Sequence, residues 1–185
     1  MKLVIAEKPS VAISIAKIIG ATNRKEGYYE GNGYKVSWCI GHLIQMANPN
    51  AYDEKYAKWK IDTLPIIPKE YKYEVSKNTK KQFNVLKRLL NDKSINSVVN
   101  ACDAGREGRL VYEQAGCKKK VERLWISSME DKAIKDGFAN LKDGIKYQDL
   151  YESAKARAIA DWIVGMNLSR LYSCLYNQNY SVGRV

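Results

Sequence analysis

The hydrophobic rhythm of the chain changes several times. Residues 2–6 form a short β-branched apolar run, the pattern of a buried strand. The run stops at Glu7-Lys8-Pro9. From Ser10, apolar Val11, Ile15, Ile18 and Ile19 recur on one helical face, with Gly20 as the stop. Residues 28–30 and 34–39 flank Gly31-Asn32-Gly33, which predicts a β-hairpin with a glycine turn. After Gly41-His42-Leu43 the periodicity fades as far as Pro68. That stretch carries Pro49, Pro65 and Pro68, with Tyr52, Tyr56 and Trp59 among lysines; it is long for a structureless loop, which points to function. Beyond it the pattern predicts a strand over 71–75 and a helix over 80–91 through Phe83, Leu86, Leu89 and Leu90. A strand over 95–102 and a helix to about 115 follow, then a strand over 121–126 and a helix over 131–141. Gly144 punctuates, and 147 to about 175 reads as one long helix or two with a break.

Strands and helices therefore alternate, which predicts an α/β fold. Two of the strands run into acids. Glu7 follows the first, and Asp103-Ala104-Gly105-Arg106-Glu107-Gly108 follows the strand over 95–102. In open α/β sheets ligands bind beyond the carboxyl ends of the strands. If these two strands are neighbours, Glu7, Asp103 and Glu107 converge. Carboxylates persist together when a cation sits between them, and an oxygen-only set without His or Cys favours Mg²⁺ over zinc. Lys8 and Arg106 place positive charge where a phosphate would approach. Acids are also common at exposed turns, so spacing alone leaves that plainer reading open.

Composition narrows the classes. Of the 185 residues, 31 are Lys or Arg and 20 are Asp or Glu, a formal charge of +11 that invites an acidic partner such as nucleic acid. Apolar residues at 45% and charged ones at 28% suit a folded domain. No apolar run approaches the roughly 20 residues of a membrane helix, and the first run is too short for a signal peptide. The expectation is a cytoplasmic protein with no membrane partner. Cys39, Cys102, Cys117 and Cys174 include no CxxC pair and His42 is the lone histidine, which argues against zinc and against a disulfide framework. Neither a Walker A loop nor GxGxxG is present, so no nucleotide cofactor is expected.

Six segments, in order, resemble the type IA DNA topoisomerases, especially the bacterial topoisomerase III branch. Leu3-Val4-Ile5-Ala6-Glu7-Lys8-Pro9-Ser10 is similar to the family's first strand and turn, and Trp38-Cys39-Ile40-Gly41-His42-Leu43 to its GHL segment. Asp103 to Gly108 resembles the acidic DxDREGE motif, and Arg123-Leu124-Trp125-Ile126-Ser127-Ser128-Met129 a strand nearby. Arg157 to Arg170, with Asp161-Trp162 and Gly165, resembles the RxxxDW…G…[ST]R helix; Ser181-Val182-Gly183-Arg184-Val185 resembles the start of SxGRVQ. The resemblance spans the whole chain.

It implies a Toprim domain over 1–145, with a mainly parallel four-stranded sheet flanked by helices. The start of a helical DNA-binding domain follows over 146–185. It also implies single-strand cleavage through a 5′-phosphotyrosine, strand passage and religation, with Mg²⁺ and without ATP. The partner implied is single-stranded or negatively supercoiled DNA. By resemblance Glu7 and Lys8 are catalytic, the first handling protons and the second holding the scissile phosphate. Glu7, Asp103 and Glu107 are the Mg²⁺ ligands. Trp59, Lys60, Arg106, Arg157, Ser169, Arg170, Tyr172, Ser181, Gly183 and Arg184 are the DNA contacts.

Three departures from the family pattern stand out. Gly105 replaces the second acid of DxD, which removes a carboxylate and implies weaker Mg²⁺ binding. Arg109-Leu110-Val111-Tyr112 follows Gly108 directly, so about four residues, roughly one helical turn, are missing against the family. The 13 tyrosines include no Tyr-Pro pair, so none is assigned as the nucleophile, and the chain alone is expected not to relax DNA. An alternative is a stand-alone Toprim-type nuclease or primase-like protein, which predicts a complete acidic set. A third is a basic nucleic-acid-binding module without metal chemistry. Trp38, Trp125 and Trp162 are expected to pack in cores, and Lys118-Lys119-Lys120 to be a solvated turn.

Overall fold

The computed structural model describes residues 1–102 and 107–183, with the side chain of Glu107 outside that description. Among the described residues nine strands and five α-helices follow in order: β1 (Lys2–Ala6), α1 (Pro9–Ile19), β2 (Asn23–Lys25), β3 (Tyr28–Gly31), β4 (Tyr34–Trp38), β5 (Ile44–Met46), β6 (Tyr73–Val75), α2 (Lys80–Leu90), β7 (Ser97–Ala101), α3 (Glu107–Gln114), β8 (Lys120–Arg123), α4 (Asp131–Ala139), β9 (Lys142–Asp143) and α5 (Gln148–Tyr176). Two compact units result. The first comprises Met1–Ile44 and Val75–Tyr151, the second Gln45–Glu74 and Glu152–Val185.

The first unit is built on a sheet in the order β2-β3-β4-β1-β7-β8-β9. β4, β1, β7 and β8 run parallel, as expected for a four-stranded parallel core. The finding beyond that expectation is three antiparallel additions, with β3 and β2 extending one edge and β9 the other. β1 is central, and its residues Leu3 to Ala6 are all buried, because helices cover both faces of a parallel sheet. Val4 and Ala6 pack with Ala12, Ile15 and Ala16 of α1 and Ile134 of α4 on one face. Strand alternation turns Leu3 and Ile5 to the other face. There Gln82 of α2 donates to Ser37 Oγ at 3.1 Å and to the Trp38 carbonyl at 2.9 Å, while α3 lies against Asn100.

Local chemistry explains the element ends. Pro9 opens α1 with φ already set, and Gly20 closes it at φ 77, a left-handed cap in which its N–H bonds the Ala16 and Lys17 carbonyls. Helix α2 buries Phe83, Leu86, Leu89 and Leu90 on one side. Lys119 Nζ caps its far end, reaching the Leu90 carbonyl at 2.8 Å and the Asp92 carbonyl at 2.5 Å, so one lysine of the 118–120 run has a structural task. Lys35, buried in β4, meets Asp92 at 2.7 Å; its ammonium holds the Asp92 carboxyl well below the usual range.

In the second unit β5 and β6 pair as a two-stranded ribbon. Three short 3₁₀ turns, Pro49–Ala51, Glu54–Ala57 and Ile61–Thr63, fill the stretch that sequence periodicity leaves blank. Their anchor is α5, a single unbroken helix. The Asn167 amide accepts from Ile66 N–H at 2.7 Å and donates to the Ile66 carbonyl at 3.0 Å. Trp162 lies 5.9 Å from the Tyr52 ring and 6.0 Å, edge-on, from Tyr71.

Candidate functional site

The parallel ladder pairs Ala6 of β1 with Ala101 of β7. Both strands therefore end at the same level. β1 pairs with β4 on one side and β7 on the other, so the order of connections reverses at its carboxyl end. That is where an open α/β sheet leaves a crevice. Glu7 and Lys8 occupy this turn, and both are exposed. Lys8 is the N-cap of α1 in extended conformation, and its carbonyl accepts from Ala12 N–H at 3.1 Å. The first turn of α1 thus aims its partial positive charge at the same corner, a placement that favours an anion.

On the β7 side the residue before the acidic motif is fixed at three atoms. The N–H of Cys102 donates to Asn100 Oδ1 at 3.0 Å, and its Sγ reaches the Ile5 carbonyl at 3.6 Å. Its carbonyl accepts from the buried guanidinium of Arg123 at 2.8 Å. The motif re-enters description at Glu107, the first residue of α3. Gly108, next along, is buried against Asn100 and Cys102 so closely that a Cβ would come within 2.5 Å of Asn100 Oδ1 and 2.9 Å of Cys102 Sγ. Glycine is required there by contact. Asp103 and Arg106 lie outside the described residues, as does the Glu107 side chain. Among the described residues no cluster of three or more His, Cys, Asp or Glu occurs. By sequence the two strand ends carry the carboxylates Glu7, Asp103 and Glu107, oxygen donors of the kind a hard divalent ion takes.

Arg123 also packs against aromatic faces, 5.3 Å from the Trp125 ring and 5.7 Å from Tyr147. Trp125 departs from its expected core position. It is 52% exposed and stacks on Tyr147 at 5.4 Å, because β8 ends at Arg123 and leaves residue 125 beyond the sheet. Beneath lies a small recess shared by Asn100, Arg109, Tyr112 and Tyr151. Burial pushes the Tyr112 hydroxyl up to about 12, so it stays protonated at neutral pH.

The remaining sequence candidates sit in the second unit. Trp59 is 47% exposed and Lys60 is exposed beside it. They border an open cleft of about 950 Å³ with Ile61, Asp62, Ser173 and Cys174. Arg157 is exposed on α5. Arg170 is not free for solvent: only 5% exposed, it donates to the Tyr56 carbonyl at 2.8 Å and lies 5.4 Å over the Trp59 ring. Burial lowers its guanidinium from the ordinary arginine value. Ser169 Oγ accepts from Val182 N–H at 2.8 Å and so ties the segment containing Ser181 and Gly183 back onto α5. Ser169, Arg170 and Ser181 border a second cleft of about 590 Å³ with Tyr56, Trp59 and Met166. Arg184 lies outside the described residues. Tyr172 is exposed and is the first of a ladder that sequence reading stops short of. It stacks on Tyr176 at 6.2 Å, and Tyr176 meets Tyr180 edge-on at 5.8 Å. The four-residue spacing was the available signal. Asn100 and Asn167, which organise the two units, carry no signal of that kind.

Among the described residues no helix is long and apolar enough to cross a membrane. Residues 2–129 match the Toprim domain family, and residues 146–185 match the DNA topoisomerase family. The chain is 50% identical over 188 residues to DNA topoisomerase 3 of Shouchella clausii, covering 100% of this chain and 26% of that protein. It is 48% identical over 187 residues to DNA topoisomerase 3 of Bacillus anthracis and 47% identical over 187 residues to that of Bacillus subtilis (strain 168); each comparison covers 99% of this chain and 26% of the relative. The chain thus spans about a quarter of the length of the curated relatives it matches. The first comparison extends over 188 residues against the 185 here, so three positions have no counterpart in this chain.

Proposed function

Because this chain belongs to the Toprim domain family, we propose that it is the metal-holding and strand-binding portion of a type IA DNA topoisomerase of the topoisomerase III kind. The observation that carries the reading is the register Ala6 to Ala101, which puts Glu7 and the segment leading to Asp103 at adjacent strand ends. Family matches over 2–129 and 146–185 support a boundary near residue 145 between the Toprim domain and the start of a helical one. The second match also disfavours a stand-alone Toprim nuclease.

In this reading Glu7, Asp103 and Glu107 hold Mg²⁺. When bound, the ion offsets charge that develops on the scissile phosphate. Lys8 and the first turn of α1 hold that phosphate from the other side, and Glu7 handles the proton exchanged with the reacting oxygen. Arg106, Arg157, Ser169, Arg170, Ser181, Gly183 and Arg184 position the strand. Trp59, Lys60 and Tyr172 offer stacking and charge to unstacked bases. Arg170 contributes through Trp59 and the Tyr56 turn, since its own cation is buried against them. Cleavage, strand passage and religation through a 5′-phosphotyrosine belong to the whole enzyme in this proposal, so binding is the readout for this chain.

The test is fluorescence anisotropy with a labelled 15-nucleotide single strand. Arg157→Ala is expected to weaken binding about tenfold at low salt and to flatten the salt dependence by about one phosphate contact. Unchanged affinity and slope would remove Arg157 from the strand-binding surface. Absence of any single-strand binding by the unmodified chain would overturn the DNA reading itself.

A further inference from the structure

The positive charge is divided unevenly between the two units. The first holds 22 Lys and Arg against 13 Asp and Glu, a net +9; the second holds 9 against 7, a net +2. The unit whose exposed tryptophan and tyrosines suit unstacked bases is therefore the nearly neutral one. The excess sits on the sheet unit, and its densest expression is the solvent face of α2. Lys80, Asn84, Lys87 and Arg88 follow one another at i, i+4, i+7 and i+8 on that face, with Lys77 in the turn before it. All five are exposed. Lys80 and Lys87 stand about 10 Å apart along the helix axis.

Two observations separate this face from an ordinary solvated one. First, the nearby acids are engaged. Glu26 bonds Lys81 at 2.7 Å, and Asp92 bonds Lys35 at 2.7 Å. Among the described residues Lys77, Lys80 and Lys87 form no ion pair with an acid, and Arg88 has only the Lys81-bound Glu26 in Coulombic reach. Second, at the N-terminal end of α2 the charge opposes the helix, whereas Lys87 and Arg88 in its last turn suit the helix dipole. The first turn of α2 carries no acid, and Lys80 and Lys81 occupy its positive end, with Lys77 just before. Cations there cost stability, and a helix selected only for stability places acids at that end. The face carries no aromatic side chain, so it offers nothing for bases to stack on. Cations and one amide fit phosphates alone, and a duplex presents them most densely.

We propose that the exposed face of α2 is a second nucleic-acid surface, one that holds the backbone of duplex DNA without reading its sequence. It uses none of the residues assigned above to single-strand binding. It rests on the DNA reading above for the class of partner, and its own content is the place and the form of DNA held there.

The test uses the 185-residue chain with a labelled 20-base-pair duplex and a 20-nucleotide single strand across a salt series. The triple variant Lys80→Gln, Lys87→Gln, Arg88→Gln is expected to lose tenfold or more of its duplex affinity. Its slope of log affinity against log salt falls by about two to three. Single-strand affinity stays within twofold. Lys80→Glu supplies a readout of opposite sign: duplex binding falls while Tm rises by about 1–3 °C, since the acid now suits the helix end. An unchanged duplex slope in the triple variant overturns the proposal. So does an equal loss on both forms of DNA, an outcome that leaves the DNA reading itself standing. A wild-type chain that binds neither form removes both.

Discussion

Gly108→Ala is expected to destabilise the sheet unit by about 2–3 kcal/mol, although it adds one methyl group to a helix and alanine is the better helix former. The methyl carbon would arrive 2.5 Å from Asn100 Oδ1 and 2.9 Å from Cys102 Sγ. The Asn100 amide cannot swing aside freely, because its Oδ1 accepts the buried Cys102 N–H at 3.0 Å. Releasing that N–H costs about 1–3 kcal/mol, so moving the amide does not escape the penalty. The other relief is a shift of α3, which displaces Glu107 at its first position. Either route disturbs the strand end that carries the acidic motif. Urea unfolding measures the loss. Gly183→Ala is the control, since no atom of the described residues lies within 4 Å of the added carbon, and it is expected to stay within about 0.5 kcal/mol of the parent. Equal stability of the two variants would show that the α3 approach is looser than described.

Arg170→Ala has the second large effect, expected at about 2–3 kcal/mol in the second unit. Three losses combine. The Tyr56 carbonyl loses its donor at 2.8 Å, the Trp59 ring loses the cation 5.4 Å from its face, and a buried side chain leaves a void. Arg170→Lys keeps the charge but loses the flat guanidinium that bonds and stacks at once, so it is expected to recover less than half of the loss. Trp59 emission, isolated in a Trp38→Phe, Trp125→Phe, Trp162→Phe background, is the local probe. It should shift in both variants before any change in helix content, because the loop is released while α5 persists. Unaltered emission and an unaltered unfolding midpoint in Arg170→Ala would remove the arginine as the anchor of this turn.

These two positions also mark what the sequence makes legible. β1, α1, the β3–β4 hairpin and α2 fall where their patterns put them. A β-branched run, Pro9 and Gly20 as punctuation, a glycine turn and a strong apolar stripe are all local signals. β2 and β9 escape because they are short, exposed edge strands held by backbone pairing, with no apolar alternation to read. The stretch from 45 to 74 escapes for a different reason. Its order comes from Asn167 and Arg170, about a hundred residues away, through bonds from side chain to backbone that leave no local pattern. Trp125 shows the limit of composition as a guide: an aromatic residue one or two positions past a strand end stacks outside the core.

The site divides in the same way. Glu7 and Lys8 are legible as residues at a strand end, since an acid, a lysine and a proline cannot continue a buried parallel strand. Their neighbours in space are set by register. Asn100, Cys102 and Arg123 meet at the end of β7 only because β7 lies between β1 and β8. No spacing in the chain announces that order. Gly108 is readable as part of a motif, but the reason for glycine appears only with Asn100 beside it.

In the proposed site the carboxyl ends of β1 and β7 together hold a divalent ion through Glu7 and Asp103. Titration of this chain with Mn²⁺, with free ion followed by its electron paramagnetic resonance signal, tests it most directly; Mg²⁺ competition and circular dichroism run alongside. One site is expected, displaced by Mg²⁺ and weakened about tenfold or more by Glu7→Gln and by Asp103→Asn, with the fold unchanged. Binding that survives both substitutions at full strength, or none in the parent chain at millimolar ion, would contradict it.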